Sequence, residues 1–213
     1  MQEREKNAMN CLVKLNNLRT NYFSAGFYKY VWLVFFFFGC SSSQNKLVGI
    51  DLVSPKKETF SLSKIENSKA TVFIFLKPDC PLSQNYTLTL NNLFNDFKND
   101  SILFLGVIPC CVSDSEANDF ILRYKILFPV LTDAKNETVN YFKASCTPEV
   151  FVIDRKENIL YRGAIDNWAV SIGKHRTVVT DNYLEDALTQ IRSSLTVTNT
   201  QTKAVGCIIE KTN

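Results

Sequence analysis

The sequence predicts an α/β domain, a central mixed sheet flanked by helices, set between a signal segment at the N-terminus and a tail at the C-terminus. Three observations lead there. Residues 70–76 (ATVFIFL) and 102–108 (ILFLGVI) are apolar runs rich in β-formers, as expected of strands covered on both faces. Stretches with apolar residues at helical spacing follow each of them, and strand–helix–strand order implies parallel pairing. Two further β runs joined by the polar turn Arg155-Lys156-Glu157 add antiparallel strands. The 213 residues are 46% hydrophobic and 21% charged, which excludes a disordered chain, a coiled coil and a multi-span membrane protein. Seven glycines and six prolines are too few for a fibrous protein.

In chain order, residues 1–40 read as a lipoprotein signal peptide. Residues 30–39 (YVWLVFFFFG) are an uncharged run half the length of a membrane span, preceded by Lys14, Arg19 and Lys29. Gly39-Cys40 closes the run, and Ser41, Ser42 and Ser43 follow it. This resembles the lipobox of bacterial lipoproteins, which implies lipidation at Cys40; Phe37 departs from it, standing where Leu is usual. The leader is long, so Met9 or a later residue is an alternative start. Removing 1–39 takes away five basic and two acidic residues and leaves nineteen of each, so nothing marks a nucleic-acid footprint.

Residues 41–46 read as a tether, and 47–195 as one domain. Residues 47–53 and 57–65 are expected to open it as a short strand and hairpin. After the strand at 70–76, residues 83–97 place Tyr86, Leu90, Leu93 and Phe97 on one helical face. The strand at 102–108 is followed by a helix over 113–124, where Ser113 and Glu116 fit a capping box. A short strand at 127–132, a short helix at 136–143, strands at 149–154 and 158–163 and a helix from Asn182 to Ser193 complete the order β-α-β-α-β-α-β-β-α. Residues 164–180, carrying Asp166, Trp168, Lys174, His175 and Arg176, form a loop long enough to suggest a role. Trp168 is a candidate lid, although packing explains it more simply, and His175 reads as part of a solvated basic loop. Residues 196–213 are a tail containing Cys207.

The chemistry concentrates in cysteine. His175 is the one histidine, which excludes a zinc site built on two or three imidazoles. Seven cysteines stand at 11, 40, 80, 110, 111, 146 and 207. In Lys77-Pro78-Asp79-Cys80-Pro81-Leu82-Ser83, Cys80 falls at the mouth of the first long helix. Unpaired N–H groups and the positive end of the helix dipole favour the thiolate there, and the thiolate is the nucleophile. Pro81 suits the first turn because it lacks an N–H. Asp79 opposes a second negative charge. Lys77 and Arg162 are candidates to stabilise the thiolate. This chemistry requires the Cys80 sulfur to be reachable at the mouth of a cleft.

A strand leading to a cysteine at a helix start resembles the thioredoxin-like superfamily, with Ser83 in place of the second cysteine of C-x-x-C. Cys146-Thr147-Pro148-Glu149-Val150-Phe151-Val152-Ile153-Asp154 resembles the strand of that family that begins at a cis-proline facing the active cysteine. Tyr161-Arg162-Gly163-Ala164-Ile165-Asp166 is similar to the hairpin of its secreted, membrane-tethered redoxins. The likeness spans 47–195. It implies a thioredoxin-like fold, thiol–disulfide chemistry at Cys80, Thr147 and Pro148, export to an oxidising space such as the periplasm of a Gram-negative bacterium, and no cofactor or metal. Protein thiols and disulfides, or small peroxides, are the implied partners, with a membrane reached through the lipid anchor.

Because Ser83 cannot close a local disulfide, Cys80 needs another thiol to resolve a mixed disulfide. Cys207, isolated after a polar stretch, and Cys146, two residues before Pro148, are the candidates, besides an external thiol. Adjacent Cys110 and Cys111 read as structural. Three functions stay open: thiol–disulfide oxidoreductase; thiol peroxidase of the alkyl hydroperoxide reductase/thiol-specific antioxidant group; and a non-catalytic binding lipoprotein of the same fold. That peroxidase group has a hydroxyl residue three places before its cysteine and Pro seven before it, where this chain has Lys77 and Phe73. A copper(I) site on Cys80, Cys146 and Cys207 lacks the expected C-x-x-x-C.

Overall fold

The computed structural model describes residues 46–50, 52–57, 60 and 63–210. The expected signal peptide 1–40, Cys40 and most of the tether lie outside the described residues, as does part of the expected opening hairpin. The described residues fall in one compact unit.

The elements are α1 (Lys64–Asn67), β1 (Ala70–Phe75), α2 (Pro81–Phe97), β2 (Ile102–Pro109), α3 (Asp114–Arg123), β3 (Val130–Asp133), α4 (Glu137–Phe142), β4 (Cys146–Thr147), β5 (Glu149–Ile153), β6 (Ile159–Gly163), β7 (Ala169–Ser171), β8 (Lys174–His175), α5 (Tyr183–Arg192) and β9 (Cys207–Ile208). Five strands form one sheet in the order β3-β2-β1-β5-β6. Its β1–β2 and β2–β3 pairs are parallel, while β1–β5 and β5–β6 are antiparallel. The mixed sheet flanked by helices is the fold the sequence predicts.

The strand period of two explains why the runs are apolar on both faces, Thr71 excepted. Val72 and Ile74 of β1, with Phe104 and Ile108 of β2 and Val150 and Val152 of β5, enter the core beneath α2, α3 and α5. Phe73 and Phe75, Leu105 and Val107, Phe151 and Ile153 enter the opposite core, where Phe142 of α4 stacks 4.8 Å from Phe73 and 4.9 Å from Phe151. Gly106 marks where β2 approaches β3: a Cβ there would sit 3.0 Å from a Val130 methyl. Ser113 and Glu116 form the expected capping box, each side chain bonded to the other's backbone N–H.

The opening segment departs from expectation. Residues Lys46–Gly49 make a 3-10 turn, Val53 makes an isolated bridge to Thr132 beside β3, and α1 occupies 64–67. No hairpin forms among the described residues there; Leu47, Leu52 and Ile65 cover the Phe142 side of the sheet instead. The 164–180 segment is more ordered than a loop, since β7 and β8 pair across a turn whose Gly173 has φ +76°.

The tail folds back along the domain. Thr200 O accepts from Arg162 N and Thr202 N donates to Arg162 O, each at 3.0 Å, and β9 pairs antiparallel with β4. Gly163, at φ +133°, and Gly206 permit this approach: a Cβ on either would run into the backbone of Thr202 or Thr147 respectively. Val197 and Ile209 bury their side chains at the two ends of the tail.

Candidate active site

β1 is the central strand, and its continuation delivers residues 76–80 to the mouth of α2. Cys80 is the N-cap of that helix, with extended backbone (φ −87°, ψ 114°), and its carbonyl accepts the first helical bond, from Gln84 N at 3.0 Å. Pro81 occupies the first turn, where no N–H is wanted. Ser83, fully buried, uses its Oγ to accept Lys77 N–H at 3.2 Å, and Gln84 Nε2 donates to Pro78 O at 2.6 Å. The serine in the second position of C-P-L-S therefore fastens the loop that carries Cys80. Lys77 Nζ lies 3.3 Å from an Asp79 carboxylate oxygen, so the charge flanking Cys80 is locally paired.

Facing this loop, β4 leads through the cis Thr147–Pro148 bond into β5. The Thr147 carbonyl oxygen is 3.0 Å from Cys80 Sγ. Thr147 is fully buried, and its own hydroxyl has no hydrogen-bond partner in the structure. Glu149, itself buried, accepts Ser145 N–H at 2.7 Å and Cys146 N–H at 3.4 Å, which fixes the approach to Pro148.

Cys80 forms a disulfide with Cys207, with Cα atoms 6.0 Å apart and a sequence separation of 127. The β4–β9 register sets this pairing, because Cys207 stands opposite Thr147 and Ile208 opposite Cys146. The expectation of an exposed Cys80 sulfur is overturned: Cys80 is 1% exposed, while Cys207 is partly exposed. The tail covers Cys80, so solvent meets the disulfide from the Cys207 side. Cys146 is buried and free. Burial, then the Glu149 charge, push its thiol up to about 11, leaving it protonated at neutral pH. Two of the three sulfurs of a Cys80/Cys146/Cys207 copper(I) site are thus joined to each other.

Next to Cys207 lies a pocket of about 210 Å³, lined mainly by apolar surface from Pro81, Leu82, Trp168 and Ile172 together with His175. Trp168 is placed edge-on to Tyr86 (5.4 Å) and stacks on His175 (4.8 Å). Its backbone N–H and the Tyr86 hydroxyl both donate to Asp166 Oδ1, at 2.8 and 2.5 Å. His175, expected as a solvated loop residue, is exposed yet covers Trp168. Trp168 thus packs and also walls the pocket. Arg162 lies on β6 and is tied by its backbone to the tail. Sequence reading missed Asn136 and Thr202, polar residues whose role comes from distant partners, and Glu149, whose partners Ser145 and Cys146 are close in sequence; Gly206, beside the isolated Cys207, gave a local sign.

A helix-capping cysteine beneath a cis-proline strand, on a sheet with order β3-β2-β1-β5-β6, defines a thioredoxin-like redoxin. The AhpC/TSA family profile matches residues 44–162, and the chain belongs to the AhpC/TSA family. Among solved structures it is similar to a hypothetical protein from Sinorhizobium meliloti (23% identity, TM-score 0.68, covering 76% of this chain and 90% of that one). It is also similar to an uncharacterized conserved protein from Geobacillus kaustophilus (23%, 0.69, 76% and 88%). A third is a secreted Mycobacterium tuberculosis disulfide oxidoreductase homologous to E. coli DsbE (13%, 0.51, 71% and 100%). No curated protein sequence matches the chain. No helix among the described residues is long and apolar enough to cross a membrane.

Proposed function

We propose that the protein is a thiol–disulfide oxidoreductase in which Cys80 of the C-P-L-S motif is the nucleophile and Cys207, on the tail, resolves it. The pairing of a helix-capping cysteine with a partly exposed tail cysteine carries this reading. A reductant's thiolate attacks the Cys207 sulfur, the reachable one, and Cys80 departs as a thiolate at the positive end of α2; the reductant's second thiolate then attacks its own sulfur in that mixed disulfide, so that Cys207 leaves as a thiolate and the reductant as a disulfide. The freed Cys80 thiolate then attacks a substrate disulfide, forming a mixed disulfide and releasing one substrate thiolate. Cys207 thiolate attacks Cys80, which re-forms Cys80–Cys207 and releases the second. Over a full cycle the reductant's two thiols become a disulfide, one substrate disulfide becomes two thiols, and the protein returns to the Cys80–Cys207 disulfide. Thr147 and Pro148 line the approach to Cys80, and Trp168 borders the pocket that would receive the substrate.

The proposal extends to export: residues 1–40 act as the lipoprotein signal, Cys40 carries the lipid, residues 41–46 form the tether, 47–195 the domain and 196–213 the tail, facing an oxidising periplasmic space. A mass spectrum of the mature protein lacking an acyl adduct on Cys40 would remove the anchor.

Membership of the AhpC/TSA family, and the unpaired Thr147 hydroxyl, favour thiol peroxidase as a second reading. There Cys80 thiolate is oxidised to sulfenate by a hydroperoxide, which is reduced to an alcohol, and Cys207 condenses with it to the same disulfide, releasing water. One experiment separates the two. The Cys207→Ser variant is incubated with extracts of the exported fraction, quenched in acid and alkylated, and its mixed disulfides are mapped. In parallel, hydrogen peroxide is added and Cys80 sulfenate is timed. Protein mixed disulfides at Cys80 are expected. Their absence with sulfenate formed faster than on free cysteine would make it a peroxidase, and absence of both would leave a binding lipoprotein.

A further inference from the structure

Cys110 and Cys111 follow β2 directly and belong to neither reaction above. Adjacent residues continuing a strand would point their side chains to opposite faces. Here Cys111 adopts a left-handed backbone (φ +72°) that breaks the alternation, and the two thiols meet with sulfurs 3.0 Å apart. The neighbouring Cys110 is held in place by Asn136, 1% exposed, which accepts Cys110 N–H on Oδ1 at 2.9 Å and donates from Nδ2 to Cys110 Sγ at 3.0 Å. The same Nδ2 lies 3.4 Å from the carbonyl of Glu210, three residues beyond Cys207. Cys111 is exposed and Cys110 partly so, so the pair is open to solvent while Cys80 is not.

We propose that Cys110 and Cys111 form a second dithiol–disulfide couple, independent of Cys80, whose state is felt by the arm bearing Cys207 through Asn136. With a small-molecule disulfide as oxidant, the exposed Cys111 thiolate attacks one sulfur and expels one small thiolate. Cys110 thiolate then attacks Cys111 Sγ and expels the second. Two protein thiols are oxidised, one external disulfide becomes two thiols, and the protons pass to those thiols. Closing the pair changes the sulfur that Asn136 Nδ2 holds, and with it the residue that also contacts the Glu210 carbonyl.

Equilibration with mixtures of reduced and oxidised glutathione, acid quenching, alkylation and peptide mapping test this. The expected result is a peptide containing residues 110 and 111 that loses both alkylation sites together, without a glutathione adduct, in wild type and in the Cys80→Ser/Cys207→Ser double variant alike. Cys111→Ser is expected to abolish closure, and Asn136→Ala to shift the glutathione midpoint several-fold. Accumulation of a stable glutathione adduct on Cys111 with Cys110 still alkylated would overturn the proposal. So would closure that requires Cys80, or closure as ready in the urea-denatured chain as in the folded one. Because the double variant lacks the Cys80–Cys207 couple, failure here is distinct from failure of the reading above.

Discussion

Ser83 illustrates how one residue in the site trades chemistry for structure. A cysteine at that position would compete for Cys80; the hydroxyl instead accepts the Lys77 amide in a fully buried setting. Ser83→Ala leaves that N–H without its partner, and an unsatisfied buried donor costs about 1–3 kcal/mol. Chemical denaturation should register a loss of that size with the Cys80–Cys207 bond still formed; an unchanged midpoint would mean water takes over the bond. Cys146 supports a second expectation. Its folded thiol, at about 11, holds its proton more tightly than the ordinary value of 9.0. Its contribution is therefore complete below pH 9 and is lost as pH rises toward 11, about 3 kcal/mol across two pH units. Thermal unfolding from pH 8 to 11 should fall more steeply for wild type than for Cys146→Ala. Parallel slopes would show that the thiol ionises without penalty.

At the scale of elements, the legible parts were those whose signal is local. The runs 70–76 and 102–108 announced β1 and β2 because both faces of those strands are covered, so the side chains are apolar except for Thr71, whose hydroxyl pairs with Ser68. The Ser113/Glu116 box was readable because both partners lie within one helical turn. The start of α2 was readable from Pro81, because a residue without an N–H is at home in the first turn, where that group would have no helical partner. The opening segment failed because its order comes from the sheet it lies on: Val53 bridges Thr132, and Leu47 and Ile65 are buried by distant residues. The β7–β8 hairpin was hidden for a similar reason, since a donor on α2 holds its base. Tyr86→Phe tests that link. It removes the 2.5 Å bond to buried Asp166, and breaking a hydrogen bond to a charged group costs about 1.5–3 kcal/mol. Trp168 should lose its fixed contact, read as a shift in near-ultraviolet dichroism together with the lower stability. A stability loss without any change at Trp168 would mean that Asp166 alone positions the hairpin.

Across the whole molecule, the tail covers Cys80 and is bonded to it through Cys207. Sequence separated 196–213 from the domain because the stretch is polar and lacks a periodic apolar face; its attachment is mostly backbone to backbone, through Thr200, Thr202 and β9, which side-chain pattern does not encode. Tyr161, buried on β6, adds a hydroxyl contact to Thr202 Oγ1 at 2.6 Å. Such an attachment, with Val197 and Ile209 the buried apolar side chains among the described tail residues, is weak without the covalent bond. The bond closes a loop of 127 residues, for which chain entropy alone gives about 5 kcal/mol. Reduction should therefore lower the melting temperature and loosen the tail before the sheet. Hydrogen exchange should accelerate at residues 200–209 in the dithiol form while β1 and β2 stay protected, because local opening follows the elements with least burial. Cys80 should become alkylatable under native conditions only then. A reduced protein whose tail exchanges as slowly as before, with Cys80 still shielded, would mean that the tail is a permanent lid and that substrates must reach the site by another route.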